Sequence, residues 1–452
     1  MVNNLTEGKP LKVLFFFTLP MLAGNLFQQL YNMVDSMVVG RFVGADALAA
    51  VGASFPIVFL SVAIAMGLSM GCTVVISQLF GGNRIREMKS TISTALISLF
   101  VLGLVIMVLA QILSKPLLTL LRTPENIMMD SLCYLRIYFA GAVFLFLYNA
   151  LNGIFNALGD SKTPLYFLMV STIANIALDL LFVINFQMGV AGVAWATLIA
   201  QGVCAILSLL VLIKRIIKMP DEDEKWAGIP VKLFQISAVR RIARIGIPSM
   251  IQQAIVSLSM MLMQSLVNSY GSVFIAGYTA ATKIDTLAMM PNINFSNAMS
   301  SYTAQNIGAG KYDRVEKGYR AGMLMITIFS ISVTLIIYLF GPWLLNMFMD
   351  SGTNSQAIEY GMSYMKTVSV FYVLMGVLFI SNGLLRGVGD MKVFMLSSMS
   401  NLFVRLIVAY GLAHFFGQSM IWWSIPIGWA VGATVSFTRY KSGKWKEAEV
   451  IE

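Results

Sequence analysis

The sequence predicts an all-α polytopic membrane protein, with twelve transmembrane helices in two parallel six-helix repeats. Three observations carry that prediction. The 452 residues are 58% hydrophobic and only 12% charged, about half the charged share of a soluble domain. The apolar residues gather into twelve long runs. Short motifs of the first half return in the second at nearly constant offsets.

The runs fall at about 13–39, 47–80, 91–113, 129–155, 164–186 and 189–213. They resume at about 245–269, 273–303, 321–346, 356–385, 393–411 and 414–438. A span needs roughly 20 apolar residues. Only helices and closed barrels satisfy the backbone in lipid. Barrel strands alternate with period two, and these runs do not. The first run is too long for a signal-peptide core and reads as a true span.

Basic residues set the orientation. With the N-terminus inside, 24 of the 31 Lys and Arg lie on the inner side. Only Arg41, Lys115, Arg122 and Lys366 lie outside, and Arg136, Lys283 and Arg405 fall within spans. The asymmetry predicts cytoplasmic N- and C-termini. It also accounts for the net charge of +10 without nucleic acid as a partner. The polar stretch 214–244, with Asp221-Glu222-Asp223-Glu224-Lys225, reads as a cytoplasmic linker. It separates an N-terminal lobe, 1–213, from a C-terminal lobe, 245–438, and 439–452 forms a cytoplasmic tail.

The repeat supports that division. Asn152-Gly153 and Gly159-Asp160-Ser161-Lys162 recur as Asn382-Gly383 and Gly389-Asp390-Met391-Lys392, offset by 230. Gln78 and Gly81 recur as Gln305 and Gly308 at 227, and Pro20 recurs as Pro248 at 228. Six spans per half make the repeats parallel, an arrangement that in secondary transporters frames a central site with alternating access.

Catalysis finds little support. The single histidine, His414, cannot build a multi-His metal site, and no zinc-protease, hydrolase or P-loop motif occurs. Cys72, Cys133 and Cys204 read as buried fillers without a disulfide or zinc role. No cofactor is expected.

Polar residues inside spans are the functional candidates, because a charge at mid-membrane costs about 2.5–3.5 kcal/mol on insertion scales. Three acids lie there: Asp35, Asp179 and Asp285. Gln28, Tyr31 and Asn32 share the helical face of Asp35, and Asn175 lies one turn before Asp179. A wet cavity is one reading of these stripes, and interhelical hydrogen bonding is the other. Lys283 and Asp285 form a possible second polar site, read first as paired with other spans. The offset carries Asp35 to Met263 and Asp179 to Ala409, so these acids are not duplicated.

On these residues the chain resembles the multidrug and toxin extrusion (MATE) transporters. The resemblance rests on Leu19-Pro20, on 28–35 (QQLYNMVD), on 39–44 (VGRFVG) and on 157–164 (ALGDSKTP). It continues through 285–291 and 305–310 (QNIGAG), and it covers essentially the whole chain. It implies a V-shaped bilobal fold exporting amphipathic, often cationic compounds against a proton or sodium gradient. In the DinF-like branch with an N-lobe cation site, Asp35, Asn175, Asp179 and Thr197 match the ion-coupling positions and would also hold Na+. Tyr134 matches a fourth-helix tyrosine, with Tyr138 as its rival. Gln28, Tyr31 and Asn152 match substrate-facing positions, and Pro20 matches a hinge proline. Another branch carries acids in helices seven and ten; 245–270 and 367–385 contain none. The resemblance further implies a monomer in the plasma membrane. Two rivals stand beside this reading: a lipid or lipid-linked precursor flippase of related fold, and a non-transporting membrane scaffold or sensor. Three interior acids against three interior bases lean away from the phosphate-binding cavity that a flippase favours.

Overall fold

The structure is a computed structural model that describes residues 4–219, 232–348 and 355–447. Among these it is helical throughout, with no strand. The order is α1 (Pro10–Val38) with a π-helical turn (Val39–Val43), α2 (Ala45–Gly81), α3 (Ile85–Leu120), α4 (Glu125–Ala140) and α5 (Ala142–Ala157). Then come α6 (Lys162–Leu180) with a second π-helical turn (Leu181–Asn185), and α7 (Gly189–Ile217). The second half follows with α8 (Ile236–Asn268), α9 (Ser272–Gly308), α10 (Tyr312–Asn346), α11 (Ser355–Ser369), α12 (Tyr372–Val388), α13 (Met391–Phe416) and α14 (Ser419–Lys441). The acidic run 221–225 and the end of the tail lie outside the described residues.

The helices overrun the apolar runs because their charged ends continue past the hydrocarbon. At 1.5 Å per residue the 36 residues of α3 reach about 54 Å, against roughly 30 Å of bilayer core. Two expected spans are each broken into a pair. α4 and α5 meet at 51°, and α11 and α12 at 52°. Among the described residues nine helices are apolar and long enough to cross a membrane, and the bent pairs raise this to eleven. The remaining helix, α9, is polar because its polar side chains face protein: Asp285, Asn292, Asn294, Ser300, Gln305 and Asn306 are all buried.

The helices cluster into two compact units. The first comprises Leu19–Met250 with Met1–Asn4, and the second Leu5–Thr18 with Ile251–Glu452. The N-terminal stretch thus belongs to the second unit, where it is held by main-chain capture. The Leu5 N–H donates to Gln305 Oε1 at 3.0 Å, and Asn306 Nδ2 donates to the Leu5 carbonyl at 3.3 Å. Lys311 Nζ donates to the Thr6 carbonyl at 3.1 Å, and Arg314 Nη1 to that of Gly8 at 2.7 Å. The Gln-Asn of the 305–310 motif therefore serves as a binding step for the start of the chain.

The repeated motifs have the same physical content in each unit. A Cβ at Gly153 would lie 2.4 Å from Ser69 Oγ, and one at Gly383 would lie 2.4 Å from the Ser296 carbonyl. The bare glycine brings α5 onto α2 and α12 onto α9. Farther on, Gly159 and Gly389 take φ of +74° and +94°, ending their helices in a conformation that favours glycine. The following aspartate caps the next helix. Asp160 Oδ1 accepts from the Thr163 N–H at 3.0 Å, and Asp390 Oδ1 from the Val393 N–H at 3.4 Å. Each aspartate then pairs with an arginine from the last helix of its unit: Asp160 with Arg215 at 2.5 Å, Asp390 with Arg439 at 2.7 Å. Burial alone would raise the Asp160 carboxyl, but the bonds from Thr163 and Arg215 outweigh it and hold the group below the ordinary carboxylate range.

One cysteine expectation needs correcting. Cys72 and Cys204 are buried, but Cys133 is exposed on α4, since an apolar run does not say which face of its helix is packed.

Two measurements of thermal stability in detergent test these readings. Gly153→Val and Gly383→Val are each expected to cost about 1–3 kcal/mol through overpacking at the crossing, and unchanged melting would contradict the close approach. Asp160→Asn is expected to lower the melting temperature at pH 7. A depressed carboxyl stabilises above its unfolded pKa of about 3.9 and loses that contribution as pH falls through its folded value. The gap to wild type should therefore close in strong acid.

Candidate functional site

The first unit brings its intramembrane polar residues together. Tyr31 and Asp35 sit one turn apart on α1, Asn175 and Asp179 one turn apart on α6, and Thr197 faces them from α7. Tyr31 Oη and Thr197 Oγ1 are 3.0 Å apart, a hydrogen bond that ties α1 to α7. Asn175 and Asp179 are wholly inaccessible, and Thr197 is nearly so. Asp35 and Asp179 approach closely enough to share a hydrogen bond once one of them holds a proton.

Most buried polar atoms in proteins find partners, and here several do not. Asp35 Oδ1, both Asp179 oxygens and both amide atoms of Asn175 are buried without a hydrogen-bond partner. Leaving such a group unpaired costs about 1–3 kcal/mol. Together with Thr197 the set is rich in hard oxygen, the donor type that protons and hard cations take. No cluster of three or more His, Cys, Asp or Glu occurs among the described residues. The residues present fit a proton or a sodium ion.

Backbone geometry marks the same place. The π-helical turn Val39–Val43 begins four residues after Asp35, and Leu181–Asn185 begins two residues after Asp179. The two turns pack against each other. π-Helical turns occur frequently at functional sites. The matching helices of the second unit, α8 and α13, end without one among the described residues. An apolar cluster of Val38, Val39, Val183, Val190 and Val193 packs around the turns and includes Tyr134.

Tyr134 and Tyr138 stack with ring centroids 6.0 Å apart. Tyr134 lies within electrostatic range of both Asp35 and Asp179, and Tyr138 of Asp35. Tyr138 lies beside Gln201, a residue that sequence reasoning passed over. Its signal was available, since Gln201 lies four residues after Thr197 on the same helical face.

The other expected residues are placed apart from the carboxylates. Gln28 is half-buried on α1, two turns before Asp35. Asn152 is half-buried on α5 and accepts from Asn156 Nδ2 at 2.9 Å. Pro20 lies inside a continuous α1. In the second unit Lys283 is exposed while Asp285 is buried. The two do not form a shared site: Asp285 instead accepts from Tyr364 Oη at 2.9 Å and from Tyr372 Oη at 2.6 Å.

Two repeated units of membrane-spanning helices are an arrangement found in polytopic membrane transporters. The MatE family matches residues 20–181 and 248–411, one stretch in each half, and the chain belongs to that family of MATE transporters. A curated relative, the probable multidrug resistance protein YpnP of Bacillus subtilis, is 32% identical over 99% of this chain and 98% of its own. The FAD transporter of Shewanella oneidensis is 24% identical over 82% of this chain and 80% of its own. A solved MOP superfamily transporter from Pyrococcus furiosus superposes with a TM-score of 0.88, at 25% identity and 98% coverage of each chain.

Tyr31→Phe and Thr197→Val each delete the α1–α7 bond. Each is expected to destabilise the protein by about 1 kcal/mol, read as a small fall in melting temperature. The double variant should cost no more than the worse single one; additive costs would show that the pair does not act as a bond.

Proposed function

We propose that the protein is a secondary active multidrug efflux transporter. It exports amphipathic, often cationic compounds in exchange for protons or sodium by alternating access. The observation that carries this reading is the group of unpartnered buried oxygens on Asp35, Asn175 and Asp179. Two carboxylates at close range in an apolar unit repel each other unless a proton or a cation lies between them. Ion occupancy therefore changes the energy of the α1–α6 contact, and the π-helical turns next to both acids are places where the backbone can yield. The names of relatives such as YpnP support drugs as the substrate class.

Coupling requires that ion and drug favour different states, and an effect of about 1–3 kcal/mol corresponds to 5–150-fold in affinity. Ion entry at Asp35 and Asp179 would reshape α1, with Pro20 as the hinge, and weaken drug binding in a cavity that includes Gln28, Tyr31 and Asn152. The chain acts as a monomer in the plasma membrane, with both termini cytoplasmic as the basic residues prescribe.

Everted vesicles carrying an imposed proton or sodium gradient test this directly. Wild type should drive efflux of a fluorescent cationic dye. Asp35→Asn and Asp179→Asn should each reduce gradient-driven transport at least tenfold while dye binding persists. Transport surviving in both variants would refute the coupling site. The gradient that drives wild type identifies the ion.

A further inference from the structure

The offset that relates the two halves pairs connecting segments as well as helices. At 227 it carries Gln78 to Gln305, Arg84 to Lys311 and Glu87 to Arg314, so the α2–α3 junction matches the α9–α10 junction. At 228 it carries Leu5-Thr6-Glu7-Gly8, which lead into α1, to Leu233-Phe234-Gln235-Ile236, which lead into α8. In each unit the segment lies on the junction.

In the second unit the α9–α10 junction grips the main chain of 5–8. Gln305 Oε1 accepts from the Leu5 N–H, and Asn306 Nδ2 donates to the Leu5 carbonyl. Lys311 Nζ reaches the Thr6 carbonyl at 3.1 Å and its hydroxyl at 3.2 Å. Arg314 donates to the carbonyls of Leu5, Glu7 and Gly8. Leu5 and Thr6 are buried there. Arg314 is itself braced, since Tyr302 Oη donates to its carbonyl at 2.9 Å and the Tyr302 ring lies under its guanidinium. In the first unit α3 holds 232–235. Ser90 Oγ donates to the Lys232 carbonyl at 2.5 Å, and the Gln235 N–H donates to Thr94 Oγ1 at 3.1 Å. Arg241, on the second turn of α8, pairs with Glu87 at 2.6 Å. The cradle side chains differ between the units, while the main chain of the segment is held in both.

The helices that follow do not stay in the unit that holds their start. Leu5–Thr18 belongs to the second unit, and α1 from Leu19 onward belongs to the first. α8 belongs to the first unit as far as Met250 and to the second from Ile251. A proline inside the helix stands near each change: Pro20 in α1 and Pro248 in α8. A proline in a helix interior removes a backbone hydrogen bond and favours bending there. Asp35 lies about 38 Å along α1 from Pro10, at 1.5 Å per residue.

We propose that the α9–α10 cradle is a permanent anchor for the start of the chain, the fixed end against which α1 bends when an ion enters at Asp35. This rests on the reading of Asp35 and Asp179 as the exchanging pair and of Pro20 as the hinge. A helix that bends at an internal weak point moves its far end only when its near end is held. A free start would absorb the bend instead. Gln305, Asn306 and Arg314 are then positioning residues for coupling, acting through α1.

Hydrogen–deuterium exchange of the full-length protein and dye efflux from everted vesicles test this together. Gln305→Ala/Arg314→Ala should speed amide exchange in 4–9 roughly tenfold; unchanged exchange would show that the cradle does not hold the chain. The same variant should lose roughly fivefold or more in gradient-driven efflux while its dye affinity is kept. Arg314→Lys, which still donates to carbonyls, should retain most of the rate. Loss of dye affinity along with the rate would mark a general structural defect and count against the anchor, as would efflux at the wild-type rate. A flexible bismaleimide joining Thr6→Cys to Lys311→Cys should leave efflux intact. This arm uses a Cys133→Ser background, because Cys72 and Cys204 are buried. Efflux abolished by the cross-link would overturn the proposal, since the segment would then have to leave its cradle during transport. Failure of the coupling-site reading shows differently: wild type would lack gradient-driven efflux, or Asp35→Asn would keep it.

Discussion

A charge placed in hydrocarbon must be compensated, and this requirement organises the molecule. The chain has few charges to place, and each buried carboxylate shows how the demand is met. Asp160 and Asp390, buried at helix ends outside the spans, meet it with an arginine and the first turn of a helix. Asp285 meets it with two tyrosine hydroxyls, from Tyr364 and Tyr372. Asp35 and Asp179 leave it unmet within the protein itself, since Asp35 Oδ1 and both Asp179 oxygens lack partners. Stability arguments run one way at the first three and the opposite way at the last two. A fold that fixes its helices with glycine, caps and ion pairs leaves one group of buried polar atoms unsatisfied.

The repeat separates structural from functional conservation inside a single chain. Glycine at 153 and 383, glycine at 159 and 389, aspartate at 160 and 390, and arginine at 215 and 439 do the same job in each unit. These positions build helix crossings, turns and clamps, which any six-helix unit needs. The π-helical turns and the carboxylate pair occur on α1 and α6 and are missing from α8 and α13 among the described residues. Duplication preserved the scaffold, and divergence rewrote the interior. The broken helix is the instructive middle case. Both units bend it by nearly the same angle, at 51° and 52°, yet only the second ties the bend to a buried carboxylate. The bend is common to both units, and among the described residues the Asp285 fastening stands in the second.

Much of this was legible in the residues, for definite reasons. Helical runs are visible because lipid admits no other open backbone. The candidacy of Asp35, Asn175, Asp179 and Thr197 for one site was legible through resemblance and the helical spacing of like residues. Gln201 was missed, although it shares a face with Thr197, because a lone glutamine near a helix middle has no distinguishing pattern. The spacing of two predicts that Asp285 and Lys283 do not face each other directly. Two residues apart in sequence, they point to different sides of α9, one into the core and one outward.

By itself the sequence determined the class of fold, its twofold repeat and the scarcity of interior acids, because hydropathy, offset and composition are properties of a linear string. Only the tertiary structure decided which of those acids are satisfied. Asp285 and Asp179 look alike in the string, as single acids in apolar helices. One is met by tyrosines 79 and 87 residues away, while the other faces Asp35 with no donor in reach. The difference lies in what packing brings from distant segments to the carboxylate, and no local pattern records that.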